Sequence, residues 1–68
     1  MSLHVTVNGT VLEIADGATV AALVAEHGGG HDRVAVARNG DVVPRSRWTA
    51  TRLAPGDRLE VLAPTAGG

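Results

Sequence analysis

The first residues of the chain alternate between apolar and polar side chains, which is the pattern of strands with one buried face. Residues 3–7 alternate in steps of two, and residues 10–14 form a second run rich in β-branched side chains. Asn8-Gly9 separates the two runs. Both central positions of a type I′ turn need a positive φ, which Asn and Gly tolerate, so this arrangement predicts a β-hairpin.

The period of the pattern then changes from that of a strand to that of a helix. Thr19 is placed to cap the helix with its hydroxyl, and three consecutive glycines at 28–30 are expected to end it, because glycine readily adopts the left-handed conformation. The sequence therefore predicts one short helix within about 18–28. Its apolar stripe comprises Val20, Leu23, Val24 and His27.

The second half of the chain repeats the hairpin pattern. Residues 34–38 form a third β-rich run, and Asn39-Gly40 predicts a tight turn into a short strand at 41–43, which Pro44 ends. Residues 45–53 show no clear period and predict a loop with a short helical turn. Trp48, the only aromatic residue, is interpreted as filling the rim of the core, with a hot spot for partner binding as the alternative.

A turn at 55–57 and a last strand at 58–62 complete the order ββαββ followed by β. The helix and the second hairpin supply the long crossover that would let the first and last strands lie parallel in the centre of the sheet. This order is typical of the α+β class and of the β-grasp, or ubiquitin-like, fold, with a mixed sheet of four or five strands on one helix. The predicted core comprises Leu3, Val5, Val7, Ile14, Val20, Leu23, Val24, Val34, Val36, Leu53, Leu59 and Val61.

Length and composition narrow the possible functions. The 68 residues predict one domain over 1–63 with a flexible arm at 64–68, and the absence of cysteine excludes a disulfide framework and a thiol nucleophile. The net charge is −1, and the six basic residues are scattered arginines, which argues against a nucleic-acid partner. No apolar run is long enough for a membrane span, and no signal peptide is evident, so we expect a cytoplasmic protein without a membrane partner.

The end of the sequence, Gly67-Gly68, is its most informative chemical feature. Glycines lack Cβ atoms, so such a segment can pass through a channel as wide as one extended strand. Thr65 and Ala66 before it are small. We interpret Thr65, Ala66 and Gly67 as a threading tail that presents the carboxylate of Gly68 to an enzyme.

Other candidate sites are weak. His27, His31 and Asp32 could suggest a metal site, but glycines 28–30 break the helical spacing between the two histidines, so we predict ordinary histidines and no metal. The glycines do not form a phosphate loop, because no Gly-Lys-Ser/Thr follows them. The sequence predicts no bound cofactor and no catalytic residue, since no serine or threonine has a suitably spaced His/Asp partner.

Strand alternation also predicts a candidate surface for a partner. If Leu59 and Val61 point inward, Leu62 points outward beside the start of the arm. Ala35 and Ala37 would lie on the same outer face of the third strand. An isolated exposed leucine is also common on protein surfaces, so both interpretations stay open.

The ordered set of these segments resembles the ThiS family, the sulfur carriers of thiamine biosynthesis. The resemblance runs from the first strand to the last residue. The glycine-rich loop at 28–31 and the small residues at 63–66 depart from the usual family pattern. The segments that carry the resemblance are 5–9, 16–20 with Leu23, 34–40, 42–46 with Trp48, Leu53 with 55–61, and Gly67-Gly68.

The resemblance implies a protein substrate rather than an enzyme. An ATP-dependent adenylating (E1-like) enzyme would activate Gly68, a persulfide donor would convert it to a thiocarboxylate, and thiazole synthase would use the sulfur to form a thiazole. Two alternatives remain from the sequence: a carrier similar to the small subunit of molybdopterin synthase, and a β-grasp interaction module without covalent chemistry.

Overall fold

The computed structural model describes residues 1–27 and 34–62. The predictions for the glycines at 28–30, for His31 and Asp32, and for the arm at 64–68 lie outside the described residues. The side chain of His27 also lies outside them, although His27 ends the helix.

The described residues form a five-stranded mixed sheet with one α-helix, as the sequence predicts. The strand order in the sheet is β2-β1-β5-β3-β4. β5 lies parallel to β1 in the centre, and the other three neighbouring pairs are antiparallel. The elements are β1 (Ser2–Val7), β2 (Thr10–Ala15), α1 (Val20–His27), β3 (Ala35–Arg38), β4 (Asp41–Val43), a 3₁₀ turn (Arg45–Arg47) and β5 (Arg58–Leu62).

Both Asn-Gly pairs form tight turns with positive φ. The φ angles are 51° at Asn8 and 84° at Gly9, and they are 51° at Asn39 and 89° at Gly40. The first turn joins β1 to β2, and the second joins β3 to β4. This confirms the two predicted hairpins, and each two-residue turn fixes which residues of its strands face one another.

The start of α1 is capped as predicted. The Thr19 hydroxyl accepts a hydrogen bond from the Ala22 amide at 3.2 Å. Carbonyl groups of the loop after β4 satisfy two further amides: Val20 donates to Thr51 at 2.9 Å, and Ala21 donates to Trp48 at 3.1 Å. The N-terminal amides of the helix therefore have partners, and the loop is held against the helix.

The core lies between the inner face of the sheet, α1 and the loop after β4. Leu59 and Val20 are fully buried, and Trp48 is also a core residue. Val61, predicted to be in the core, packs against it but is only half-buried. The buried apolar residues are Leu3, Val5, Val7, Ile14, Val20, Leu23, Val24, Val34, Val36, Trp48, Leu53 and Leu59.

Candidate functional site at the end of the last strand

β5 is the strand that leads toward Gly67-Gly68, and the sheet holds it from both sides. β1 pairs with it through Thr6 and Val7, which face Arg58 and Leu59. On the other side, β3 pairs with β5 along its length and reaches Leu62 at its end, where Ala35 is the partner. β5 therefore ends at Leu62 in the centre of the sheet rather than at an edge.

The side chain of Asn8 holds the far end of β5. Its Nδ2 donates to the Val61 carbonyl at 3.0 Å, and its Oδ1 accepts from the Val61 amide at 2.9 Å. The Asn8 backbone amide donates to the Leu59 carbonyl at 3.0 Å. A primary amide has the same donor and acceptor as a peptide group, so Asn8 continues the β1 ladder by one position after the backbone of β1 has turned away.

Asn39, in the second turn, holds the beginning of β5 in a similar way. Its backbone amide donates to the Arg58 carbonyl at 2.7 Å, and its side-chain Oδ1 accepts from the Arg58 backbone amide at 2.9 Å. Its Nδ2 donates to Asp57 Oδ1 at 3.0 Å. Each Asn-Gly turn therefore uses its asparagine side chain to hold one end of the same strand.

Asp57 is the one buried charged residue among those that the structure describes. In addition to the Asn39 bond, its Oδ2 accepts from the Ala54 amide and from Arg38 Nε, both at 2.8 Å. Burial acts to raise the pKa of Asp57. The hydrogen bonds from Ala54, Asn39 and Arg38, together with the positive charge of Arg38, outweigh burial and hold that pKa below its ordinary value.

The outer face of the sheet carries an apolar patch beside the end of β5. Leu62 is 66% exposed and Val42 is 77% exposed. Leu62 faces Ala35 across the β5–β3 pair, and Val42 faces Ala37 across the β3–β4 pair. Paired residues share a face of a sheet, and residues two apart on one strand do as well, so all four lie on one side. We call Leu62, Ala35, Ala37 and Val42 the outer patch.

The structure therefore brings together the three predicted partner-contact residues, Leu62, Ala35 and Ala37. The predicted tail Thr65, Ala66 and Gly67 and the predicted modification site Gly68 lie outside the described residues. Sequence reasoning missed Val42 as a member of the patch, although the two-residue Asn39-Gly40 turn pairs it with Ala37 and so would have assigned it to the same face.

Sequence reasoning also missed the roles of Asn8, Asn39 and Asp57. The Asn-Gly pairs indicated turns, but the same turn signal is given by Asp-Gly, which cannot donate a side-chain hydrogen bond when ionised. Asp57 was interpreted only as a turn residue. The available signal was that positions 8 and 39 hold asparagine rather than aspartate, because only asparagine has a side chain that both donates and accepts hydrogen bonds.

Neither a metal-binding cluster nor a membrane-spanning helix occurs among the described residues. No group of three or more His, Asp, Glu or Cys side chains in 1–27 and 34–62 could hold a metal ion. Within those same ranges, no helix has the length and apolar character needed to cross a membrane.

Comparisons with known proteins agree with the fold. A crystal structure of a thiamine biosynthesis protein (ThiS) from Geobacter metallireducens superposes with a TM-score of 0.79 at 30% identity, covering 97% of this chain and 100% of that one. A thiazole synthase from Paramagnetospirillum magneticum is 35% identical over 66 residues, which cover 97% of this chain. The chain spans 20% of the length of that relative.

Residues 5–68 match the sequence model of the ThiS family. The match covers both asparagine turns, the last strand and the final Gly-Gly pair. Together with the superposition on ThiS, it establishes the β-grasp fold and confirms the family that the sequence resembles. The chain belongs to the ThiS family of sulfur carriers of thiamine biosynthesis.

Proposed function

We propose that Gly68 is the residue that carries the sulfur, as a C-terminal thiocarboxylate used for thiazole formation. The observation that carries this proposal is the family match, which extends through Gly67-Gly68. β5 supports it, because this central strand ends at Leu62, six residues before Gly68. In this role the protein is the substrate of other enzymes and supplies reach and recognition rather than an acid or a base.

The proposed chemistry begins with an ATP-dependent adenylating enzyme. A carboxylate oxygen of Gly68 attacks the α-phosphate of ATP, and pyrophosphate leaves. The resulting acyl-adenylate has AMP as its leaving group, so the inert carboxylate becomes an electrophile. Because this step consumes ATP, we propose that it takes place in the cytoplasm.

A persulfide then supplies the sulfur. Its terminal sulfur attacks the carbonyl carbon of Gly68 and displaces AMP. The product is an acyl disulfide that joins Gly68 to the donor cysteine. A second thiol attacks the donor sulfur, breaks the sulfur–sulfur bond and leaves the thiocarboxylate and a new disulfide. The thiocarboxylate sulfur is a better nucleophile than a carboxylate oxygen and can be transferred to an organic acceptor.

We propose thiazole synthase as the enzyme that uses this sulfur. In the relative from Paramagnetospirillum magneticum, a stretch similar to this whole chain belongs to a protein named thiazole synthase. A carrier sequence within a thiazole synthase chain supports a direct physical partnership between the two proteins.

The outer patch is the proposed docking surface for the adenylating enzyme. It includes the last residue of β5, Leu62, and its partner Ala35, and both Leu62 and Val42 are well exposed. The six residues after Leu62 span at most about 20 Å when extended. An enzyme that binds Gly68 must therefore approach close to Leu62, and an apolar surface there would contribute binding energy.

Intact-mass spectrometry tests the modification. The chain ending at Gly68 is incubated with a ThiS-activating enzyme, ATP and a persulfide donor, and we expect a gain equal to the mass difference between sulfur and oxygen. A variant with one residue added after Gly68 should fold identically and gain nothing, because its terminal carboxylate is no longer on the glycine. An equal gain in the extended variant would exclude Gly68 as the modified residue.

A matched pair of substitutions tests the docking surface. Leu62→Glu should weaken the adenylation reaction at low carrier concentration, because a charge replaces an apolar contact at the interface. Val11 is a suitable control because it is 65% exposed on β2, with β1 between it and β5. If Val11→Glu impairs the reaction as much as Leu62→Glu, the outer patch is not the docking surface.

A further inference from the structure

We propose that Asn8 is a positioning residue for the carrier reaction. Its side-chain amide fixes the direction in which the chain leaves β5, so that the chain is oriented for the adenylating enzyme before the two proteins bind. This inference rests on the proposed function, and it assigns a role in tail delivery to a residue of the first hairpin, more than fifty positions away in sequence.

The geometry indicates that Asn8 substitutes for a missing piece of strand. Pairing between β1 and β5 stops at Val7 and Leu59, because β1 turns into the Asn8-Gly9 hairpin. Val61, two residues further, still directs its N–H and C=O toward the side on which β1 would lie. The Asn8 side chain satisfies both groups, at 2.9 and 3.0 Å.

These contacts lie at Val61, one residue before the last pair of the sheet, Ala35 opposite Leu62. Without the Asn8 amide, the end of β5 would be paired only with β3, through Val36 opposite Val61 and Ala35 opposite Leu62. Ala35 is itself the first residue of β3, so that pairing also ends there. A rotation of the chain at Val61 would displace the start of the segment that leads to Gly68, so a smaller fraction of molecules would present that segment in the orientation that the enzyme binds.

Asn39 offers an internal comparison that separates positioning from stability. It has the same φ of 51° in the same kind of turn, and it also holds β5 through its side chain. It does so at Arg58, four residues before Leu62, and it additionally bonds the buried Asp57. Loss of the Asn39 side chain should therefore destabilise the fold at least as much as loss of the Asn8 side chain, without freeing the end of β5.

The experiment compares Asn8→Gly with Asn39→Gly. Glycine accepts the positive φ at either position, so each substitution removes the side-chain bonds without straining the turn. Hydrogen exchange should show the Val61 amide exchanging about tenfold faster in Asn8→Gly than in Asn39→Gly. Adenylation by the ThiS-activating enzyme should show a KM for the carrier raised about tenfold in Asn8→Gly, with kcat within about twofold, as expected when fewer molecules are binding-competent.

An unchanged KM for Asn8→Gly, or equal increases for both variants, would overturn the proposal. Asn8→Asp provides a second variant with less change to the hairpin, since aspartate tolerates positive φ and keeps the acceptor for Val61 but loses the donor. It should raise the KM less than Asn8→Gly does, and no rise at all would also count against the proposal. If the unsubstituted chain itself is not adenylated, the proposed function fails, which is a distinct result.

Discussion

Replacing Asp57 with asparagine tests the contacts that hold the start of β5. Asp57 Oδ2 accepts from Ala54 and Arg38, and its Oδ1 accepts from Asn39. An asparagine can place its oxygen toward Ala54 and Arg38, but its NH₂ group then faces the NH₂ group of Asn39. Asn39 cannot turn over without breaking its bond from the Arg58 amide, so one donor is left without an acceptor.

The expected loss of stability follows from these contacts. Hydrogen bonds to a charged group contribute about 1.5–3 kcal/mol each, and neutral ones contribute about 0.5–1.5 kcal/mol. The substitution weakens two bonds and removes the third, but the Arg38 side chain is 33% exposed, so solvent reduces its contribution. We expect a decrease of about 3 kcal/mol in the free energy of unfolding, out of roughly 3–10 kcal/mol for a domain of this size.

Urea denaturation followed by circular dichroism measures this decrease, and thermal unfolding should show a Tm lowered by about 15 °C. Asp41→Asn is the matched control, because it makes the same chemical change at an exposed position on β4. A loss for Asp57→Asn no greater than that for Asp41→Asn would refute the assignment of Asp57 as an anchor of β5.

Three further predictions concern pH and the core. The pKa of Asp57 in the folded protein lies below its ordinary value of 3.8, so the stability that its charge contributes is present above pH 3.8 and is lost as the pH falls through the folded pKa. Urea titrations in acid should therefore show a smaller difference in the free energy of unfolding between the unsubstituted protein and Asp57→Asn. Leu23→Ala should decrease the free energy of unfolding by about 2–4 kcal/mol, since Leu23 is 2% exposed, and an unchanged urea midpoint would show that Leu23 is not in the core. Trp48→Phe should decrease the free energy of unfolding, measured by calorimetry, by about 1–2 kcal/mol, because the indole donates to the Val43 carbonyl at 3.0 Å and Arg45 lies 4.9 Å from the ring centre. An unchanged free energy of unfolding would indicate that only the packing of the ring matters.

The elements of the fold could be predicted because their signals are local. Period-two runs, two Asn-Gly turns and a threonine cap each act over a few residues, and together they give five strands and one helix in the observed order. The parallel pairing of β1 with β5 followed from the long crossover between them. Local patterns therefore predicted most of the architecture.

Most of the contacts that hold β5 could not be predicted, because they join residues far apart in sequence. The Asn8–Val61 bonds span 53 positions, and the Arg38–Asp57 bond spans 19. Alternation predicted an inward Val61 but not its partial exposure. The outer patch was predicted in part, since Ala35, Ala37 and Leu62 follow from alternation within single strands.

The central claim, sulfur carried on Gly68, is tested most directly on the protein isolated from its own cells grown without thiamine. Fragmentation of the intact protein in a mass spectrometer determines which residue ends the chain and which residue carries any added mass. We predict a terminal fragment that ends at Gly68 and contains one sulfur in place of one oxygen. A terminal fragment with an unmodified carboxylate under thiamine starvation, or a chain that continues past Gly68, would contradict the claim.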